Sequence, residues 1–249
     1  MPSPSSAAPP VRLRRLPGLT GYEASVAAMS EFTAARGPDT PDELWLLEHP
    51  PVYTFGLNTN PAHLLSAGSI PVVQTDRGGQ VTYHGPGQLV AYLLLDLQRA
   101  GLGIRQVVSA LEDAVIDLAA RHGISASARR EAPGVYVAGS KLASIGLRVR
   151  RGCTYHGLAL NVDMDLAPFA GINPCGYPGL KVTSLALLGG PTAVDQVGAE
   201  FAAILLPKLN LVSAGAPSGA PGCRRRGPGT GAPRPRRPRR PPAPRRSAA

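Results

Sequence analysis

A thiol, a lysine and two histidine-bearing, glycine-flanked segments carry most of the chemistry open to this sequence. In Asn173-Pro174-Cys175-Gly176-Tyr177-Pro178 the cysteine lies between a proline and a glycine. The backbone is restrained there and the sulfur left uncrowded, which suits a nucleophile. Lys141 opens Lys141-Leu142-Ala143-Ser144-Ile145-Gly146, a strand-like run in which it is the polar exception. Such a lysine acts as a base once desolvated, although by spacing alone it reads more readily as an exposed strand residue. Arg77-Gly78-Gly79-Gln80-Val81-Thr82-Tyr83-His84-Gly85-Pro86-Gly87 is the densest unusual segment. Its glycines let the backbone approach a ligand closely, or serve only as turns around a hairpin.

Thr154-Tyr155-His156-Gly157 repeats Thr82-Tyr83-His84-Gly85 further along. Strand alternation puts Thr and His of each copy on one face and Tyr on the other. Neither histidine has a cysteine or carboxylate at a usual ligand spacing, so no metal site is expected. The phosphate-loop pattern GxxxxGK[ST] is absent. Cys153 falls within a strand and reads as a small core residue, and Cys223 as incidental. The three cysteines form no CxxC pair, which fits a reducing, cytoplasmic setting.

The elements that must position these residues follow from pattern. Thr20 and Glu23 suggest a capping box opening a helix over 21–35, with Ala24, Ala27, Ala28 and Phe32 on one face. Strands are expected at 43–48, 52–55, 71–75, 80–84, 88–96, 134–138, 141–150 and 153–163. Val107, Val108, Leu111, Val115 and Leu118 predict a helix over 105–121 that stops at Gly123. A loop covers 167–180 and a last helix 192–206. Strand groups mixed with separate helices predict an α+β fold.

The chain has 249 residues, 43% hydrophobic, with a formal charge of +10. From Leu211 onward there are ten Arg, nine Pro and no acidic residue; removing those ten leaves 16 basic against 16 acidic residues. The basicity therefore belongs to a tail that lacks the apolar surface to fold alone and would attract nucleic acid only nonspecifically. The longest apolar run stops at Asp96, too short to span a membrane, and Arg12, Arg14 and Arg15 are followed by no secretory signal. Three segments result: an N-terminal extension at 1–19, partly disordered, a folded domain at 20–210, and a Pro/Arg-rich disordered tail at 211–249.

Taken in order, EHPPVYTFG (48–56), RGGQVTYHGPGQLVAY (77–92), GSKLASIGLRV (139–149), TYHGLALNV (154–162) and INPCGYPGLKVTSL (172–185) closely resemble the octanoyltransferases of lipoate biosynthesis, the lipoate-protein ligase B family. The resemblance covers about residues 20–206 and leaves the tail without a counterpart. It implies a single catalytic domain similar to that of biotin and lipoate ligases, with mixed and antiparallel sheets and flanking helices. It also implies transfer of octanoyl from acyl carrier protein to a lysine of lipoyl domains, in 2-oxoacid dehydrogenase complexes and the glycine-cleavage H protein, with no cofactor.

Carried over by motif, Cys175 takes the acyl-thioester role and Lys141 that of its activating partner. The matched substrate-binding stretches are Arg77, Gly78, Gly79, Gln80, Val81, Thr82, Tyr83 and His84, then Ser144, Ile145 and Gly146, then Gly157, Leu158 and Ala159. His49, His84 and His156 are expected to line the pocket, and the Gly85 N–H is a candidate oxyanion donor. Arg129/Arg130 and Arg148/Arg150/Arg151 are candidate patches for acidic carriers. The nearest rival is an ATP-dependent lipoate or biotin ligase on the same fold; others are a nucleic-acid binder working through the tail and a family member reduced to carrier docking.

Overall fold

The computed structural model describes residues 10–214. Eleven strands and four helices are present among them: β1 (Pro10–Leu19), α1 (Tyr22–Ala35), β2 (Asp42–Glu48), β3 (Val52–Phe55), β4 (Val72–Gln74), β5 (Thr82–His84), β6 (Gln88–Leu94), α2 (Leu97–Ala100), α3 (Ile104–Arg121), β7 (Ser127–Ala128), β8 (Gly134–Val137), β9 (Ser140–Arg150), β10 (Cys153–Asn161), α4 (Val194–Lys208) and β11 (Val212–Ser213). Eight strands form one sheet in the order β11-β1-β2-β6-β10-β9-β8-β7, and β4-β3-β5 form a second. β1 runs parallel to β2 and β11, and β3 parallel to β4; the other pairs are antiparallel. The architecture is the mixed α+β one expected from the strand and helix patterning.

Alternation along the central strands divides the large sheet into two faces. One face contributes Leu44, Leu46, Leu89, Ala91, Leu93, Leu158 and Leu160 to an aliphatic core closed by α3 and α4. The inner side of α3 is Val107, Ala110, Leu111, Ala114, Val115, Leu118 and Ala119, close to the predicted stripe. The other face turns Trp45, Leu47, Val90, Tyr92, Tyr155 and Ala159 toward Met29 of α1. Beside it the small sheet builds a third cluster of Tyr53, Val81, Tyr83, Phe169 and Ile172.

Expectations about both ends of the domain are corrected. Residues 10–19, read as part of an extension, form a strand inside the large sheet, and Val212–Ser213, read as the start of the tail, pairs with it. The arginines there neutralise a buried acid: Arg12 and Arg14 donate to Glu43 at 3.3 and 3.2 Å, and Trp45 Nε1 donates to it at 2.6 Å. Burial of Glu43 is tolerated because its oxygens are supplied with donors. The capping box does not form. Thr20 N–H instead extends the strand ladder to Glu48 O at 2.8 Å, and Gly21 caps α1 without a side-chain bond. The buried face of α1 is Tyr22, Ser25, Met29 and Thr33, not the alanines. The rest of the tail, residues 215–249 with Cys223, lies outside the described residues.

Candidate active site

A cleft of about 480 Å³, part of it open to solvent, lies on the α1 face of the large sheet. Its floor is a band of mostly small residues on neighbouring strands: Ser144, Ile145 and Gly146 on β9, and Gly157, Leu158 and Ala159 on β10. Val90 and Tyr92 of β6 continue it, and Tyr22 of α1 reaches in from the side. The roof is the segment Arg77, Gly79, Gln80, Val81, Thr82 and His84. The three separate stretches singled out in the sequence thus meet at one cavity.

The roof is held by a buried guanidinium. Arg77 donates through Nε and Nη2 to Thr54 Oγ1 at 3.2 and 2.8 Å, through Nη2 to Thr54 O and Gln80 O at 2.7 and 2.8 Å, and through Nη1 to Gly78 O at 3.0 Å. Burial pulls its pKa down, so these acceptors are what keep the charge tolerable there. Gly78 N–H donates to Leu147 O at 3.1 Å and fixes the loop to β9. A side chain at Gly56 would place its Cβ 2.3 Å from Gly79 O, so glycine is required for that approach.

Cys175 and Lys141 come together. Lys141 Nζ donates to Cys175 Sγ at 2.7 Å and to Pro133 O at 3.2 Å, and lies 5.2 Å from the Tyr136 ring centre. Lys141 is only 2% exposed, which overturns the surface-lysine reading of its spacing. Its backbone is pinned on both sides, N–H to Lys181 O and O to Thr183 N–H, at 2.8 and 2.9 Å. Cys175 is half-buried, lines the cleft, and has left-handed backbone (φ +56°, ψ +19°). That conformation is costly outside glycine and is characteristic of residues held for a purpose. The turn is fixed by Asn173 N–H to His63 O at 2.8 Å and Gly176 N–H to Asn173 O at 2.9 Å.

A histidine-rich group lies at and behind the cleft wall. His49 Nδ1 donates to Thr20 O at 2.6 Å, leaving Nε2 to accept from the Tyr92 hydroxyl at 2.7 Å. Burial holds its pKa at about 4 against a partial opposing effect of the Thr20 bond. His84 Nδ1 donates to Gln88 Oε1 at 2.8 Å, and burial likewise drives its pKa down. His156 Nε2 donates to Asp76 Oδ1 at 2.9 Å, and the Tyr155 hydroxyl donates to Asp76 Oδ2. Burial would raise the Asp76 carboxyl, but these two bonds outweigh it and hold it below its usual range. Burial also lowers the His156 pKa, with Asp76 opposing.

Several expectations do not hold in detail. His156 and Tyr155 do not point to opposite faces: His156 is left-handed (φ +60°), the alternation breaks, and the two rings stack 5.0 Å apart over one carboxylate. Tyr83 packs into the cluster of Tyr53 and Phe169, and neither it nor Gly78 lines the cleft. Gly85 is also outside the lining, which removes the argument for its N–H as an oxyanion donor. His49 stands behind the wall, against Tyr22, His84 and Tyr92. Tyr22, Val90, Tyr92 and Asp76 were not singled out from sequence, although Val90 and Tyr92 lie in the string 77–92; only the tertiary fold shows which of its residues reach the cleft. Cys153 is buried, as a core residue should be.

Residues 21–205 match the family model of the lipoyl protein ligase A/B catalytic domain. An octanoyltransferase of Alkalilimnicola ehrlichii is 59% identical over 199 residues, 80% of this chain and 92% of the relative. One of Methylococcus capsulatus is 59% identical over 197 residues, 79% of this chain and 95% of the relative. A bipartite lipoate protein ligase from Thermoplasma acidophilum superposes with a TM-score of 0.64 at 15% identity, covering 84% of this chain and 86% of that one, a likeness of fold alone.

Proposed function

The chain belongs to the lipoyl protein ligase A/B catalytic-domain family, and from that premise we propose a mechanism for it as an octanoyltransferase of protein lipoylation that works through an acyl-enzyme on Cys175. The observation that carries the reading is the 2.7 Å contact between Lys141 Nζ and Cys175 Sγ at a cleft lined largely by apolar atoms. Nucleophile and proton-transfer group are already within hydrogen-bond reach, so no bridging water is needed between them.

In the first half-reaction the Cys175 sulfur attacks the octanoyl carbonyl of the acyl carrier protein thioester. The tetrahedral intermediate collapses by breaking the bond to the carrier sulfur, which leaves as a thiol with a proton from Lys141. In the second, the amine of a lipoyl-domain lysine attacks the Cys175 thioester. Neutral Lys141 takes up the amine proton, the sulfur leaves, and an amide is formed. A thioester is activated relative to an amide, so the cycle is downhill without nucleotide. The apolar middle of the cleft shelters the acyl chain through both steps.

The acidic carriers, acyl carrier protein as donor and lipoyl domains or the H protein as acceptors, fit a groove lined by Arg105, Arg129, Arg130 and Pro133, with one acid, Glu112, which accepts from Gly134 N–H. This groove adjoins the pair directly, because the Pro133 carbonyl accepts from Lys141 Nζ. The guanidinium of Arg129 is held 4.3 Å from the Tyr136 ring centre, the ring that also packs near Lys141. Residues of this kind steer association in a salt-dependent way. A cytoplasmic setting belongs to the same reading; among the described residues no helix is long and apolar enough to cross a membrane.

The test is intact mass after incubation with octanoyl-acyl carrier protein, beside Cys175→Ser. One octanoyl adduct, absent from the variant and discharged by an apo-lipoyl domain, is the expected result. No adduct, with transfer only when ATP and free octanoate are supplied, would replace this reading with that of a ligase.

A further inference from the structure

The lining of the cleft changes character along its length. Lys141 Nζ marks the sulfur end, where a Cβ on Gly134 would lie 3.2 Å from it. Gly134 stands opposite Ser144, and His156 opposite Leu147. His156 is therefore three residues along and two strands across from Gly134, roughly 14 Å by strand geometry. An eight-carbon acyl chain extended from the sulfur, with one van der Waals contact beyond its methyl group, has that length. Between these points the lining includes Val81, Val90, Leu158 and Ala159.

At the far end two buried polar atoms lack a well-formed hydrogen bond. His156 Nδ1 has no partner; its other nitrogen is committed to Asp76, so Nδ1 carries a free lone pair. The Tyr22 hydroxyl faces the Arg77 guanidinium, which is a donor only, so the hydroxyl's own proton has no acceptor. His156 is 1% exposed and Tyr22 4%, and both line the cleft. Whatever fills the cleft therefore decides whether these atoms are hydrogen-bonded or stranded. The left-handed backbone at His156 is what sets its ring against the cleft and Asp76 together.

We propose that His156 and Tyr22 form a polar end-stop that limits acyl-chain length and accepts a chain ending in a hydrogen-bond donor. This rests on the acyl-transfer reading above. An octanoyl chain ends short of the two atoms. A longer saturated chain presses against both and offers neither a partner. A chain of the same length that ends in a hydroxyl donates to Nδ1 instead.

Rates of acyl-enzyme formation, read by intact mass, test this with pantetheine thioesters of octanoate, nonanoate and 8-hydroxyoctanoate. The last two have equal length, so a purely steric stop treats them alike. The wild-type protein should prefer 8-hydroxyoctanoyl over nonanoyl by about 10-fold or more, the effect of pairing one otherwise stranded acceptor. Tyr22→Phe and His156→Asn, the latter chosen because asparagine tolerates left-handed backbone, should each bring that ratio toward one. If His156→Asn fails to fold, Tyr22→Phe decides. Acylation by octanoyl with a wild-type ratio near one, or a ratio unmoved by the variants, overturns the end-stop alone. No acylation by any thioester, the octanoyl one included, removes the acyl-transfer reading and the end-stop with it.

Discussion

The two faces of the large sheet are built from alternate residues of the same strands, yet they obey different rules. The face toward α3 and α4 is aliphatic, and its helices follow simple hydrophobic periodicity. The face toward α1 and the small sheet buries His49, His84, His156, Arg77 and Lys141. It also carries left-handed backbone at His156 and Cys175. One face gains stability from area removed from water. The other spends part of that stability on polar groups that must each be given partners. The fold can hold a buried lysine against a thiol because its other face does not need to be anything but a core.

That contrast predicts a separation of effects. The largest is Cys175→Ala, which should reduce turnover by roughly 10,000-fold or more while changing stability by under about 1 kcal/mol. Lys141→Met should lower turnover by roughly 100- to 10,000-fold, read as steady-state transfer to a lipoyl domain. Its stability should change by no more than about 2 kcal/mol, because the apolar group of similar volume offsets most of the cost of leaving Pro133 O without its donor. Thermal melts of both variants beside their activities are the check. A Lys141→Met protein that melts far below wild type would make the lysine structural.

On the aliphatic face the reverse is expected. Leu111→Ala opens a cavity in α3 and should cost about 3 kcal/mol, measured by denaturant unfolding, with transfer per folded molecule unchanged. A comparable loss on the polar face should come from acid. His49 is neutral when folded, with a pKa of about 4 against 6.5 in the open chain. Below pH 6.5 the unfolded chain takes up a proton that the folded one refuses, so stability falls as pH drops from 6.5 to 4 and levels off below. One such histidine accounts for about 3 kcal/mol over that window. His84 and His156 act in the same direction. Melting temperature against pH, with His49→Gln flattening the slope, is the measurement.

The same contrast explains what could be read from sequence. α3 was legible because an aliphatic stripe has only one physical meaning, and Lys141, Cys175 and most of the cleft lining were legible because their motifs persist as short contiguous strings. β1 was missed since it was read as part of the N-terminal extension; the partner of its arginines, Glu43, is 29 and 31 residues away and could not be paired with them by inspection. The inner face of α1 was misassigned because it is Tyr22, which reaches the cleft, with the buried polar residues Ser25 and Thr33 and only one aliphatic position, Met29, so hydrophobic periodicity carries no signal there. The Tyr155 and His156 side chains were placed on opposite faces by strand alternation, a rule that a single left-handed residue suspends. Asp76, which joins them from 79 and 80 positions away, left no local trace.

The smallest effect concerns how the two halves of the Lys141–Cys175 pair are kept in register. Lys141 is tied to the segment before β8 through Pro133 O, and the cysteine turn is tied to the same segment by the Tyr177 hydroxyl, which donates to Glu131 O at 3.2 Å. Gly134 N–H anchors the segment to Glu112 of α3 at 2.9 Å, so the aliphatic side supports the polar one here. Tyr177 is 44% exposed, and removing its hydroxyl deprives an exposed carbonyl that water can serve instead. Tyr177→Phe should therefore leave the melting temperature within about 2 °C of wild type. The slackened cysteine turn should still slow acyl-enzyme formation by roughly 2- to 5-fold, because small misplacements of a nucleophile are expensive in rate. A rate equal to wild type would mean that the turn positions Cys175 by its own hydrogen bonds, without help from Tyr177.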